Sequence, residues 1–200
     1  TEADLNKLRS ELIERARGLP LLVIFNTTVH ESNFKEIPAV VEFFIKNSDV
    51  VGMASFQLQA DTGRGLLHQR PELISLETVQ KKVSQGAGNL LPWDTILIGH
   101  PQCHTYVPTL AVNGKAFGII DDSLIFSDFL RDFSHVTHDR REGPTKIAWT
   151  YLKKCIQYPK WILRALTYFL PRIWKIRKNI IAGKGRTNKI SFFIQNFMDK

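Results

Sequence analysis

Two apolar runs constrain this chain most. "LLVIFNTTV" (21–29) and "VVGMASFQLQ" (50–59) are rich in β-branched residues and almost free of charge. Such runs fit strands buried on both faces, the usual state of a parallel sheet. Between them "FKEIPAVVEFFIKN" (34–47) sets Phe34, Ile37, Val41 and Phe44 on one helical face, with Pro38 in the first turn, where a missing N–H is tolerated. A further helix over 3–16 carries Leu5, Leu8, Leu12, Ile13 and Ala16 at helical spacing, and Gly18 and Pro20 end it. Helix, strand, helix, strand within 60 residues is an α/β pattern with a parallel crossover.

Beyond the second strand, "ADTGRG" (60–65) reads as loop. "SLETVQKKVSQ" (75–85) reads as a short helix whose capping box involves Ser75 and Thr78. Asn113-Gly114 stands between apolar runs in 105–121, a strong hairpin signal. "DSLIFSDFLRDF" (122–133) is an amphipathic helix with an aspartate cap. The sequence therefore divides into helix–strand–helix–strand units over 1–70, a region with "HPQC" and the hairpin over 71–145, and a tail over 146–200.

The tail differs in charge. Residues 146–200 hold 13 Lys and Arg against the single acid Asp199, whereas 1–145 hold 14 against 18. A mildly acidic body thus carries a strongly basic tail, which points to an anionic surface as partner. Trp149, Trp161, Trp174, Tyr158, Tyr168 and Phe169 are interleaved with the cations, and Pro159 and Pro171 are expected to divide the segment into short helices. The uncharged run between Arg164 and Arg172 is far shorter than the ~20 residues that span a bilayer. An interfacial position, aromatics sunk and cations outward, is compatible with the pattern. Aromatic interleaving also permits nucleic-acid binding, but the body has no such motif, and nucleic acid ranks last among the partners.

Two cysteines, Cys103 and Cys155, cannot form a disulfide framework and fit no compact zinc pattern. A reducing, cytoplasmic setting is expected, with peripheral membrane association through the tail. The first 18 residues are charged and amphipathic, unlike a signal peptide. With no initiator Met and an end within an apolar pattern, the chain reads as a piece of a longer protein.

Polar groups at the ends of parallel strands face the ligand side in barrels and open α/β sheets. Thr27, Thr28 and Asn33 are therefore candidate cofactor contacts; equally, Asn33 could cap the helix that begins at Phe34. Gln57 and Gln59 lie late in an apolar strand, where an unpaired amide costs roughly 1–3 kcal/mol. They face either a polar interior and ligand or neighbouring backbone. Arg64 could grip a carboxylate or phosphate, or be a solvated loop residue. "IGHPQCHTYVP" (98–108) puts His100 and His104 around Cys103. One thiolate and two imidazoles can bind iron or zinc, though a closed zinc site needs four ligands; a turn with an inert Cys103 is the plainer reading.

Two blocks together resemble the back half of a radical SAM domain. In "LLVIFNTTVHESNFKEIPAVVEFFIKNSDVVGMASFQLQADTGRG" a strand ends in a T-V-x-x-x-N turn, a helix opens with Glu-Ile, and a strand with G-x-x-F-Q precedes a T-G-R loop. "GHPQCHTYVPTLAVNGKAFGIIDD" resembles the following H-P-x-C block and short hairpin, and "ISFFIQNFMDK" the approach to a cysteine-rich C-terminal region. The subgroup includes archaeal tetraether lipid synthase and related radical methylases. The resemblance covers about residues 20–132 and 190–199. It implies the distal part of a partial (β/α) TIM-like barrel, followed by a hairpin and the basic helical tail. It implies S-adenosyl-L-methionine (SAM) as cofactor and a [4Fe–4S] cluster that cleaves it to a 5′-deoxyadenosyl radical for C–H activation, with a lipid among the substrates it brings to mind. Asn33, Gln57 and Thr28 become candidate SAM contacts, and His100 and Cys103 candidate ligands of an auxiliary iron site. The CxxxCxxC triad of the family is not in these 200 residues. Cluster ligands are therefore expected in a missing N-terminal half, and the isolated chain is expected to be inactive. The alternative is a non-catalytic membrane-surface module with a basic amphipathic tail.

Overall fold

The computed structural model describes residues 1–59, 74–93, 95–96, 100, 103–137, 144–184 and 186–196. Arg64 and its loop lie outside the described residues.

Helix α1 (Glu2–Ala16) starts at a Thr1 cap with a full capping box and leads to β1 (Val23–Val29). A short 3₁₀ turn (Phe34–Glu36) feeds α2 (Ile37–Lys46), with Pro38 in its opening turn, and β2 (Val51–Leu58) follows. Val23 pairs with Val51 in a parallel ladder that runs to Val29 and Leu58. The expectation of two neighbouring parallel strands joined through a helix is thus met. Helix α3 (Leu76–Ala87) carries the Ser75–Thr78 capping box and ends at Gly88, whose φ of +66° is the left-handed conformation that closes a helix. β3 (His104–Val112) and β4 (Lys115–Gly118) form the hairpin, and both Asn113 and Gly114 take positive φ, as a two-residue I′ turn requires. Helix α4 (Ser123–Phe133) is capped by Asp122, which accepts from the Leu124 and Ile125 amides.

The tail departs from the sequence expectation twice. Helices α5 (Pro144–Gln157) and α6 (Lys160–Arg164) do part at Pro159. Pro171 does not break the chain: α6 runs through a π-helical segment (Ala165–Phe169) into α7 (Leu170–Ala182). A proline removes one helical hydrogen bond and crowds the carbonyl four residues back; a widened π turn accommodates both. One residue on, Arg172 Nη1 donates to the Tyr168 carbonyl at 3.0 Å. Secondly, residues 187–195 are not helical tail. They form β5 (Thr187–Gln195), in the middle of the sheet.

The sheet is mixed, in the order β1-β2-β5-β3-β4. β5 is parallel to β2 and antiparallel to β3. The fold is α/β with one five-stranded sheet. One face is the core: Phe56, Phe192 and Ile194 from the strands pack with Ile37, Val41 and Phe44 of α2, Val79 and Val83 of α3, and Ile13 of α1. Phe44 is fully buried, stacks on Phe25 at 5.1 Å between ring centroids and lies under the Arg9 guanidinium. Helices α1, α2 and α3 thus share one side of the sheet. The other side carries Ile24, Asn26 and Thr28 of β1, all exposed, and their register partners.

A second cluster joins α4 to the tail. Ile125 and Phe133 pack on Trp161, with Phe129, Tyr151, Cys155 and Tyr158 around them. Burial pushes the Cys155 thiol pKa up, so it behaves there as a small hydrophobe. Three aspartates fix three tail cations. Asp132 accepts from Lys160 Nζ (2.6 Å) and the Trp161 indole (2.8 Å), Asp128 pairs with Arg164 (2.6 Å), and Asp121 with Arg172 and the Tyr168 hydroxyl (2.5 Å each). The Lys160 ammonium and the Trp161 indole hold the Asp132 carboxyl down to about 2, below the ordinary carboxylate range. Burial and the Asp121 hydrogen bond push the Tyr168 hydroxyl up to about 12.

A lowered folded-state carboxyl pKa stabilises the fold in full above its unfolded value near 4, and that contribution is lost as pH falls through about 2. The Trp161 indole N–H resonance is therefore expected to titrate with a midpoint near pH 2, the folded-state value of Asp132, with no such titration in Asp132→Asn. A resonance unchanged down to pH 2 in the parent chain contradicts the ion-pair account.

Candidate functional site

Strand register assembles a row of polar side chains that is scattered in sequence. Thr28 pairs with Gln57, Gln57 with Gln195, and Gln195 with His104. Paired residues in neighbouring strands project from the same face. The four therefore form one line across β1, β2, β5 and β3, on the side away from α1–α3 and at the carboxyl ends of the three parallel strands. Thr28 is exposed and the other three are half-buried.

The next layer inward is Asn26, Ser55, Phe193 and Tyr106, joined by the same ladders. Asn26 Nδ2 donates to Gln57 Oε1 at 3.1 Å, which ties the two layers together. Tyr106 shares a hydrogen bond of 2.9 Å with Ser191 Oγ, and the His104 ring lies 5.4 Å from that of Phe193. Phe126 of α4 approaches Tyr106 at 6.4 Å. The result is a wall of hydroxyl, amide, imidazole and aromatic groups, open at Asn26 and Thr28 and covered at Ser55 and Ser191, which are buried.

Asn33 sits beneath this rim, 4% exposed. Its Oδ1 accepts the His30 amide (2.9 Å), while its Nδ2 donates to the Thr28 carbonyl (2.8 Å) and to Glu2 Oε1 (2.7 Å). Both amide hydrogens are engaged within the chain. The side chain does not cap the following helix; it closes the β1 loop and anchors it to the start of α1. Glu2 is clamped in turn by Arg9 at 2.5 Å. Burial alone would raise the Glu2 carboxyl, but hydrogen bonds from Arg9 and Asn33 outweigh it and hold it low. Thr27, one residue from Thr28, points to the helical side and is 3% exposed, and its hydroxyl has no partner among the described residues.

Cys103 is half-buried in a turn whose amide donates to the His100 carbonyl at 2.9 Å; its own carbonyl accepts from the Asn196 amide at 2.7 Å. The turn is thereby fastened to the end of β5, beside the His104–Gln195 pair. His100 is exposed. His100 and Cys103 thus lie at the same end of the sheet as Thr28 and Gln57. Among the described residues no three His, Cys, Asp or Glu side chains gather as a metal-binding set. Gln59 is exposed, and its amide donates to the Val29 carbonyl at 3.0 Å, which continues the ladder past β2. A separate groove of about 760 Å³ lies at the opposite end of the strands, lined by Arg17, Asp49, Asn113, Arg186 and Asn188. Its Arg17 is already paired with Glu14 and Asp49.

Sequence reasoning singled out Thr28 and Gln57 in this row but missed Gln195, His104 as a wall residue, Asn26 and Tyr106. The available signal was the alternation in "NKISFFIQ", where Ser191, Phe193 and Gln195 interleave with Ile190, Phe192 and Ile194. That is the pattern of a strand with one apolar and one mixed face.

No protein-family model matches the chain, and no curated protein matches it.

Replacing Asn33 with Ala removes three hydrogen bonds and leaves the Glu2 carboxylate and Thr28 carbonyl short of a donor. An Asn33→Ala chain is expected to lose about 1–3 kcal/mol of stability in urea unfolding; unchanged stability contradicts the anchoring role.

Proposed function

We propose that this chain is the distal part of a radical SAM iron–sulfur enzyme, and that the open face of its sheet is the inner wall of a partial (β/α) barrel. The observation that carries the reading is the Thr28–Gln57–Gln195–His104 row at the carboxyl ends of the parallel strands. Three further features support it: the parallel β1–α2–β2 unit, the placement of α1–α3 on one side only, and the T-V-x-x-x-N, G-x-x-F-Q and H-P-x-C motifs in order along the chain. Ligands in parallel α/β folds bind at the carboxyl ends of the strands.

The wall residues suit SAM, which carries an adenosine and a charged amino-acid group. Thr28 and Gln57 would present a hydroxyl and an amide to its polar groups, and Asn26 Nδ2, by donating to Gln57 Oε1, holds the Gln57 amide in place. Asn33 acts as a positioning residue: it holds the Thr28 carbonyl and the loop behind it. Cys103 and His100, at the same end of the sheet, would be candidate ligands of an auxiliary iron. The described residues offer no complete ligand set for a [4Fe–4S] cluster, so its ligands are assigned to polypeptide outside this chain. Beside such a cluster, SAM would supply the oxidising equivalent for abstraction of hydrogen from an unactivated C–H bond; this chain would contribute orientation. The alternative of a non-catalytic membrane module rests on the tail alone and leaves the polar row without a role.

The test is the complete reading frame that encodes these residues, purified anaerobically and reduced in the presence of SAM. The proposal expects iron–sulfur absorption and release of 5′-deoxyadenosine, with both kept but turnover lowered in Gln57→Ala. A reading frame without a CxxxCxxC triad, or a protein that forms no 5′-deoxyadenosine, contradicts it.

A further inference from the structure

The tail helices dock through a mixed face. An amphipathic helix on a protein body ordinarily buries its apolar stripe and exposes its charges. α6–α7 bury Trp161 and Ile176 but leave a second apolar face outside. Lys160, Arg164 and Arg172 turn to the body and are neutralised by Asp132, Asp128 and Asp121. The outward face carries Leu163, Leu166, Leu170, Ile173, Trp174 and Ile181, each between 43% and 74% exposed. Leu163, Leu166, Leu170 and then Ile173 or Trp174 follow at spacings of three and four residues through the π segment, and Ile181 lies seven residues beyond Trp174, so an apolar stripe runs from α6 into α7 with Arg177 and Lys178 interrupting it before Ile181.

The charges that remain around the stripe identify its partner. Lys175, Lys178 and Lys184 are exposed, Arg177 lies over the Trp174 ring at 4.4 Å, and residues 146–196 contain no acid. On α5, Trp149 is exposed with Lys153 over its ring at 5.5 Å. Exposed apolar residues, interfacial tryptophans and cations without a single nearby acid of their own segment fit an anionic lipid surface, where rings settle at headgroup level and lysines meet phosphate. No helix among the described residues is long and apolar enough to cross a membrane.

We infer that α6–α7, with the Trp149 face of α5, lies in the surface of an anionic bilayer, apolar stripe down, and is held to the body by the three aspartate–cation pairs. This inference stands on the tail and does not depend on the cofactor reading.

Co-sedimentation of the 200-residue chain with vesicles tests it. Binding is expected to mixed phosphatidylcholine–phosphatidylglycerol vesicles, with a blue shift of tryptophan emission, and not to pure phosphatidylcholine. Lys175→Gln with Lys178→Gln is expected to weaken partitioning by on the order of fivefold per lysine, and added salt to weaken it in parallel. Leu166→Gln with Trp174→Gln, both at exposed positions, is expected to abolish binding while the circular dichroism spectrum stays as in the parent. Failure to bind anionic vesicles, equal binding to both vesicle types, or full binding by the Leu166/Trp174 variant overturns the inference. A dimer in sedimentation velocity that the same variant dissociates, without vesicle binding, assigns the stripe to a second copy of the chain and also overturns it.

Discussion

The parallel pairing of β1, β2 and β5 is the constraint on which the rest depends. Parallel strands need crossovers, and α2 supplies the one between β1 and β2. Because α1, α2 and α3 all lie on one side, the apolar alternate residues of each strand turn that way and the remaining residues are left on an open face. Residues far apart in the chain, such as Gln57 and Gln195, become neighbours only through this register. The same pairing places the carboxyl ends of three strands, and with them Thr28, Gln57 and Gln195, at one edge.

The support beneath that edge is polar and buried. Asn33, Glu2 and Arg9 form a chain of hydrogen bonds from the β1 loop to α1, and each member satisfies another. A buried network of this sort fixes geometry more than it adds stability, because an unsatisfied member would be costly. Its effect here is to immobilise the loop that follows Thr28. The tail is fixed by a different device, three aspartates on and beside α4, and so part of its high positive charge is consumed inside the molecule. Composition alone could not distinguish those inward cations from the outward ones.

Local signals were legible in the sequence; non-local ones were not. The apolar runs at 21–29 and 50–59 and the helical spacing between them announced the β1–α2–β2 unit, and Asn113-Gly114 announced the hairpin, since each depends on neighbouring residues. β5 was absorbed into the basic tail. Its alternation was visible, but its partners Met53–Gln57 and His104–Val112 lie far away in the chain, and nothing local states that pairing. Gln57 could therefore be marked as unusual without its neighbours Gln195 and Asn26 being seen. Asn33 stands out in the sequence as a polar residue after a strand, but the identity of its partners, Glu2 above all, depends on how α1 packs. Proline alone disfavours a helix, so Pro171 reads as a break; the π turn that accommodates it leaves no comparable mark in sequence.

The proposed role of the open face is tested most directly by SAM affinity in the complete polypeptide, measured by equilibrium dialysis for substitutions on the two sides of the same strands. The account predicts weaker binding in Gln57→Ala and Gln195→Ala, and unchanged binding in Thr27→Val, which alters the helical side of β1 one residue from Thr28. Equal affinity in all three, or a loss confined to Thr27→Val, would contradict it.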